Sequence, residues 1–211
     1  MHIVIVRGAN INQTEQIAVN DLGQYIKRLF GIDALVADAP QDGADATFLV
    51  GNPSTNPHTQ DHWQEVSEQG IVIRRSPDTT LTVGGGSPAA TLWAVSKLAE
   101  CYGVCHLLEE DVYPSAATCE KFYLPEVDLV QEPTMSVRSW RVINDLGFGP
   151  EYWGIEDYKP VLHQLAKLSY NMINVSIYPF QPFLDLEIDG IKRNWTTLCY
   201  DFKYPITDDM P

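Results

Sequence analysis

Positive charge is what this chain has least of: Lys and Arg number 14 against 28 Asp and Glu, a formal net charge of −14 over 211 residues. Nucleic acid and anionic membrane surfaces would be repelled by such a chain, which argues against both as partners. Long apolar runs are missing too. No stretch approaches the roughly 20 apolar residues that span a bilayer, and the "HIVIV" after Met1 has neither the basic leader nor the cleavage site of an export signal. A leader removed before residue 1 would leave the same sequence, so the compartment stays open: cytoplasmic by default, secreted or periplasmic otherwise. The four cysteines, Cys101, Cys105, Cys119 and Cys199, show no C-x-x-C spacing and are expected as buried reduced thiols. No motif implies a cofactor or a metal, and there is no internal repeat.

An apolar content of 45% is enough for a sizeable core. "HIVIVR" (2–7) reads as a strand. From Glu15 to Leu29 the set Ala18, Leu22, Tyr25, Ile26 and Leu29 recurs at helical spacing, with Gly31 where a stop is expected. "DALVAD" and "ATFLVG" read as strands, "GNPSTNPHTQDH" (51–62) as a polar loop, and "GIVIRR" and "TLTVGG" as a hairpin around "SPDTT". A second helix carries Leu92, Val95, Ala99 and Tyr102 on one stripe and is closed by Gly103, after which "VCHLL" resumes as a strand. Residues 1–132 are therefore expected to form an α/β sandwich, a sheet with two helices on one side.

Pro133 marks a boundary, because proline biases Glu132 away from helix. Beyond it, "SVRSWRVI", "EDYKPVLHQLAKLSY" and "NMINVSIYP" read as strand, helix and strand, a βαβ unit with parallel strands. Residues 133–211 cannot cover both faces of a parallel sheet, and are expected as the first portion of an incomplete (β/α)8 TIM barrel. The apolar surface left open would allow homo-oligomers to form.

The run Gly84-Gly85-Gly86 ahead of a helix invites a phosphate-binding reading. A P-loop needs Lys followed by Ser or Thr, and a Rossmann fingerprint needs a third glycine where Ala89 stands. The expectation is instead a turn: glycines at positive φ, Ser87 as cap and Pro88 at the first helical position.

Three segments carry a resemblance. "LTVGGGSPAATLWAVSKLAECYGVCHLLEEDVYP" resembles the non-catalytic α/β domain that precedes the barrel in glycoside hydrolase family 20 β-hexosaminidases and family 67 α-glucuronidases. "EPTMSVRSW" is similar to the start of their first barrel strand, and "DYKPVLHQLAKLSYNMINVSIYP" to the first barrel helix and second strand. The resemblance implies the N-terminal part of an enzyme acting on a hexosaminide or uronide in an oligo- or polysaccharide. It also implies that Arg138 hydrogen-bonds sugar hydroxyls, as a planar guanidinium suits, with Arg141 a second candidate; a structural ion pair is the other reading of Arg138.

Barrel sites lie at the C-terminal ends of strands, here Asn144 and Asp145 after the first strand and Tyr178 after the second. Trp140, Trp153, Tyr178 and Phe180 could line a sugar subsite or belong to the core. The Asp–Glu pair of the family 20 enzymes follows the fourth barrel strand, so no residue of this chain is expected to be catalytic. Glu109-Glu110-Asp111 and Asp208-Asp209 are expected to be solvated charge. His58 and His62 are not expected to align as a zinc pair, and His2, His106 and His163 read as packing or surface residues. The rival reading is a non-enzymatic carbohydrate-binding or scaffold module.

Overall fold

The computed structural model describes residues 1–77, 79–115, 121–141, 153–174 and 187–192. Cys119, Asn144, Asp145, Tyr178, Phe180, Cys199 and Asp208-Asp209 lie outside them. The chain divides into two compact units, Met1–Arg138 with Pro160–Asn171, and Ser139–Lys159 with Met172–Pro211.

The first unit is built on β1 (Ile3–Arg7), β2 (Leu35–Ala37), β3 (Ala46–Val50), β4 (Ile71–Arg75), β5 (Thr80–Gly85) and β8 (Asp128–Gln131), with a short hairpin of β6 (Cys105–His106) and β7 (Asp111–Val112). The sheet order is β2-β1-β3-β5-β4-β8. Pairings among β2, β1, β3 and β5 are parallel, and β4 runs antiparallel to both β5 and β8. The fold is thus mixed α/β with a mostly parallel sheet, and the expected hairpin is β4–β5.

Helices α1 (Gln13–Phe30) and α2 (Pro88–Cys101) bury their stripes on one face of this sheet. Ala18, Leu22, Tyr25, Ile26 and Leu29 of α1 and Leu92, Val95 and Ala99 of α2 join Ile3, Ile5, Phe48, Val50, Ile71, Ile73, Leu81 and Val83 in a single core. Each fully buried aliphatic side chain there contributes about 1.5–3 kcal/mol. On the opposite face Val4, Val6 and Leu49 form a smaller cluster with Ala37 and Ala44. Because both faces of the central strands are buried, their sequences are nearly continuous apolar runs.

The helix ends follow their sequence signals. Asn12 caps α1 through the Glu15 N–H in a reciprocal capping box, and Gly31 closes it at φ 71°. Ser87 caps α2, Pro88 fills its first position, and Gly103 at φ 88° ends it with Val104 N–H bonded to Ala99 O at 3.1 Å and Gly103 N–H to Glu100 O at 2.9 Å.

Two expectations need correcting. Residues 51–62 are not all loop: Pro57–His62 form a 3-10 helix capped by Asn56, whose side chain accepts from the His58 N–H. The Asn-Pro pair is a helix start here, and since side chains eclipse at i, i+3 in such a helix, His58 and His62 still do not align. The exposed free thiols Cys101 and Cys105 are not buried as expected, because one lies on the outer face of α2 and the other on an outward position of the β6 strand.

In the second unit β9 (Ser139–Arg141) pairs in parallel with β10 (Met172–Asn174), which is the expected βαβ connection through α3 (Ile155–Lys167). Asp157 accepts the Gly154 N–H at 2.9 Å to start α3, and Glu156 adds a second acid to its first turn. A hairpin of β11 (Glu187–Ile188) and β12 (Ile191–Lys192) turns at Asp189-Gly190, both at positive φ, an Asp-Gly pair of the kind that favours a tight hairpin. Among the described residues no helix is long and apolar enough to cross a membrane.

Gly84 tests how tightly the sheet end is built, since a Cβ there would lie 1.9 Å from the Gly51 carbonyl oxygen. In urea unfolding, Gly84→Ala should cost about 3 kcal/mol or prevent folding, whereas Gly31→Ala, with open space but left-handed backbone, should cost about 1 kcal/mol. Equal midpoints for Gly84→Ala and wild type would contradict this packing.

Candidate functional site

In open α/β sheets ligands sit beyond the carboxyl ends of the parallel strands, which here means the ends of β1, β3 and β5 and the starts of α1 and α2. The protein fills that position itself. The wholly buried Asn56 donates its side-chain amide to Val6 O at 3.0 Å and Val50 O at 2.9 Å, and Asn52 donates to Gly85 O at 3.0 Å. Glu15, also 0% exposed, accepts from the Thr55 hydroxyl at 2.8 Å, with the Thr91 hydroxyl at 3.4 Å and the Asn12 N–H at 3.4 Å.

The glycines are explained by close approach of other segments, Gly51 at Gly84, the start of α2 at Gly85 and the 67–68 backbone at Gly86, rather than by the turn expected of them. None of Gly84, Gly85 and Gly86 has positive φ, and an added Cβ would lie 2.4 Å from Ala90 Cβ at Gly85 and 2.0 Å from Ser67 O at Gly86. They are required because backbone passes too close for a side chain.

A second candidate lies where α1, the β6–β7 hairpin and residues 160–167 of α3 converge around an open cavity of about 270 Å³. Asp111 is 6% exposed at its side chain and accepts from His106 Nδ1 at 2.8 Å and Lys167 Nζ at 2.7 Å. His106 Nε2 faces Ser96 O at 3.1 Å, and His163 Nε2 donates to Asp21 Oδ2 at 2.7 Å. Burial opposes the Asp111 carboxylate, but the hydrogen bonds and charges of His106 and Lys167 outweigh it and hold its pKa below the ordinary value. Burial, helped by the Asp111 and Asp21 charges, pushes the Tyr25 phenol far above its usual range. Asp111 is therefore not solvated charge as expected, and the histidines His106 and His163 are paired with acids. Chemically the cluster pairs Asp111 with Lys167 and His106, and Asp21 with His163, and no group of three His, Cys, Asp or Glu side chains that could hold a metal occurs among the described residues.

Arg138 precedes β9 and Asn171 precedes β10. The Arg138 guanidinium donates from Nε to Ser169 O at 2.6 Å and from Nη1 to Gln69 Oε1 and Met135 O at 2.7 Å each, and it stacks on Trp93 at 4.7 Å. Its backbone N–H is taken by Asn171 Oδ1 at 2.8 Å, and Asn171 Nδ2 returns to Gln69 Oε1 at 3.1 Å and Ser136 O at 2.8 Å. Gln69, Trp93, Met135 and Arg138 border a cavity of about 250 Å³. Arg138 has no carboxylate partner among these contacts, so the structural alternative takes the form of a hydrogen-bonded clasp rather than an ion pair. Arg141, at the C-terminal end of β9, is exposed and Trp140 is half-buried. Sequence reasoning missed Gln69, whose position before "IVIRR" gave no signal of its contacts 67 and 69 residues away.

No protein-family model matches the chain, and no curated protein matches it. Among solved structures it is similar to a family GH115 4-O-methyl-α-glucuronidase, BtGH115A, with specificity for decorated arabinogalactans: 16% identity over 85% of this chain and 26% of that one, with a TM-score of 0.60. A GH20 exo-β-N-acetylglucosaminidase from Vibrio harveyi matches at 12% identity, 82% of this chain, 21% of that one and a TM-score of 0.45. The chain thus spans about a quarter of the length of the glucuronidase, and the likeness is one of fold.

The Asp111 cluster makes a pH prediction. An aspartate with a depressed folded pKa contributes stability that is complete above its unfolded pKa near 4 and is lost as pH falls through the folded value. Asp111→Asn, which leaves the buried Lys167 ammonium without its carboxylate, should cost about 3 kcal/mol at pH 7 in urea titrations. That difference should shrink steadily below about pH 4. A penalty that stays constant into strong acid would show that the carboxylate charge is not what stabilises the cluster.

Proposed function

We propose that this chain supplies the non-catalytic α/β domain, residues 1–132, and the opening strand–helix–strand of a (β/α)8 barrel, residues 133–211, of a glycoside hydrolase. The observation that carries the reading is the fold likeness to the GH115 glucuronidase, because it extends over 85% of the chain and so includes more than the sheet domain. The parallel pairing of β9 with β10 through α3 supports it independently, since a lone βαβ unit leaves a parallel sheet unfinished.

The buried acids support a non-catalytic role for the first domain. Glu15, Asp21 and Asp111 are each held by internal donors, whereas glycoside hydrolysis uses two carboxyl groups facing the scissile bond in opposite protonation states. Sugar contacts in this reading come from the C-terminal side of the barrel strands: Trp140 and Arg141, together with Asn144, Asp145 and Tyr178. Arg138 was expected in that set. Its bonds to Ser169, Gln69 and Met135 support a positioning role at the N-terminal end of β9, where barrel residues serve stability rather than chemistry. The substrate proposed is a uronide or N-acetylhexosaminide in an oligo- or polysaccharide.

The test is to assay the product of the native gene on aryl glucuronides, 4-O-methylglucuronosyl oligosaccharides and aryl N-acetylhexosaminides. Hydrolysis of one class is expected, with Arg141→Ala lowering kcat/KM by about tenfold or more, the scale of one lost hydrogen bond to a charged group. Sugar binding without turnover of any of these substrates would favour a carbohydrate-binding module instead.

A further inference from the structure

We propose that Glu15 is a built-in occupant of the sheet's ligand crevice: its carboxylate fills an anion position at the strand ends and closes the crevice to phosphate-bearing ligands. The position is the one where α/β proteins with this strand arrangement hold an external anion, at helix N-termini beyond the carboxyl ends of parallel strands. Here Glu15 stands in the first turn of α1, and the hydroxyl it shares with α2, Thr91, also accepts the Gly85 N–H at 3.2 Å. Thr55 donates to the same oxygen from the loop that follows β3, so two segments distant in sequence meet on a side chain that the N-cap N–H of its own helix also reaches.

The surrounding backbone shows that the closure is complete. Glu15 is 0% exposed, and its Oε1 lies 3.5 Å from where a Cβ on Gly51 would be. A Cβ on Gly8 would fall 1.6 Å from Thr55 O, so the loop carrying Thr55 and Asn56 rests directly on the chain leaving β1. A capping-box glutamate reaches only its own helix start; this one bridges to residues 40 and 76 positions away. The inference is independent of the hydrolase reading.

Chemical rescue tests it. Glu15→Ala removes the carboxylate and leaves a space that formate fits, so its Tm should fall below wild type and then rise by about 3 °C for each tenfold increase in formate above the formate Kd, relative to chloride at equal ionic strength. Wild type should show no formate or inorganic phosphate response beyond chloride, and Glu15→Gln, which keeps the space filled, should show none either. If Glu15→Ala does not fold on dilution from urea, its refolding yield in formate against chloride gives the same reading. A Tm or yield of Glu15→Ala that responds to formate no more than to chloride, or a wild type that responds equally, overturns the proposal.

Discussion

The first unit depends on the side-chain amide of Asn56. Parallel strands end with carbonyls that must find donors, and the two donated bonds to Val6 O and Val50 O satisfy the ends of β1 and β3 with one buried group. Placing that amide requires the 51–56 segment to press onto the sheet, which in turn requires glycine at positions 8, 51 and 84. The same segment brings Thr55 to Glu15, tying the start of α1 to the end of β3. Core burial stabilises the sheet and helices, but this closure determines what the strand ends present: protein, where related architectures present a ligand.

Local periodicity made most of this fold legible. The five apolar residues of α1 lie on one stripe, Asn12 and Gly31 stand at its ends, and all of these signals act within a few residues. The β4–β5 hairpin, α2 and the parallel β9–β10 pair were read on the same grounds. What could not be read depends on distant partners. Asp111 looks like one of three adjacent solvated acids until Lys167, 56 residues later, is placed against it, and Gln69 has no distinguishing feature until Arg138 and Asn171 arrive. The glycine run was expected as a positive-φ turn, whereas its glycines answer to close approach by other segments, which leaves no trace in a single sequence.

The candidate site divides in the same way. Arg138 and Arg141 are only three residues apart, but one lies before β9 with its N–H groups bonded to protein and the other ends the strand with its side chain exposed. Position along the strand, not residue type, separates their surroundings. The acid-rich composition likewise covers two kinds of carboxylate, those on the surface that set the net charge and the few buried ones that hold elements together.

The central proposal is that residues 133–211 open a barrel whose remaining strands complete the parallel sheet. The intact mass of the protein made from its native gene addresses that most directly. The account predicts a mass well above the 23.7 kDa of these 211 residues. A product of that mass, folded and monomeric, would contradict it.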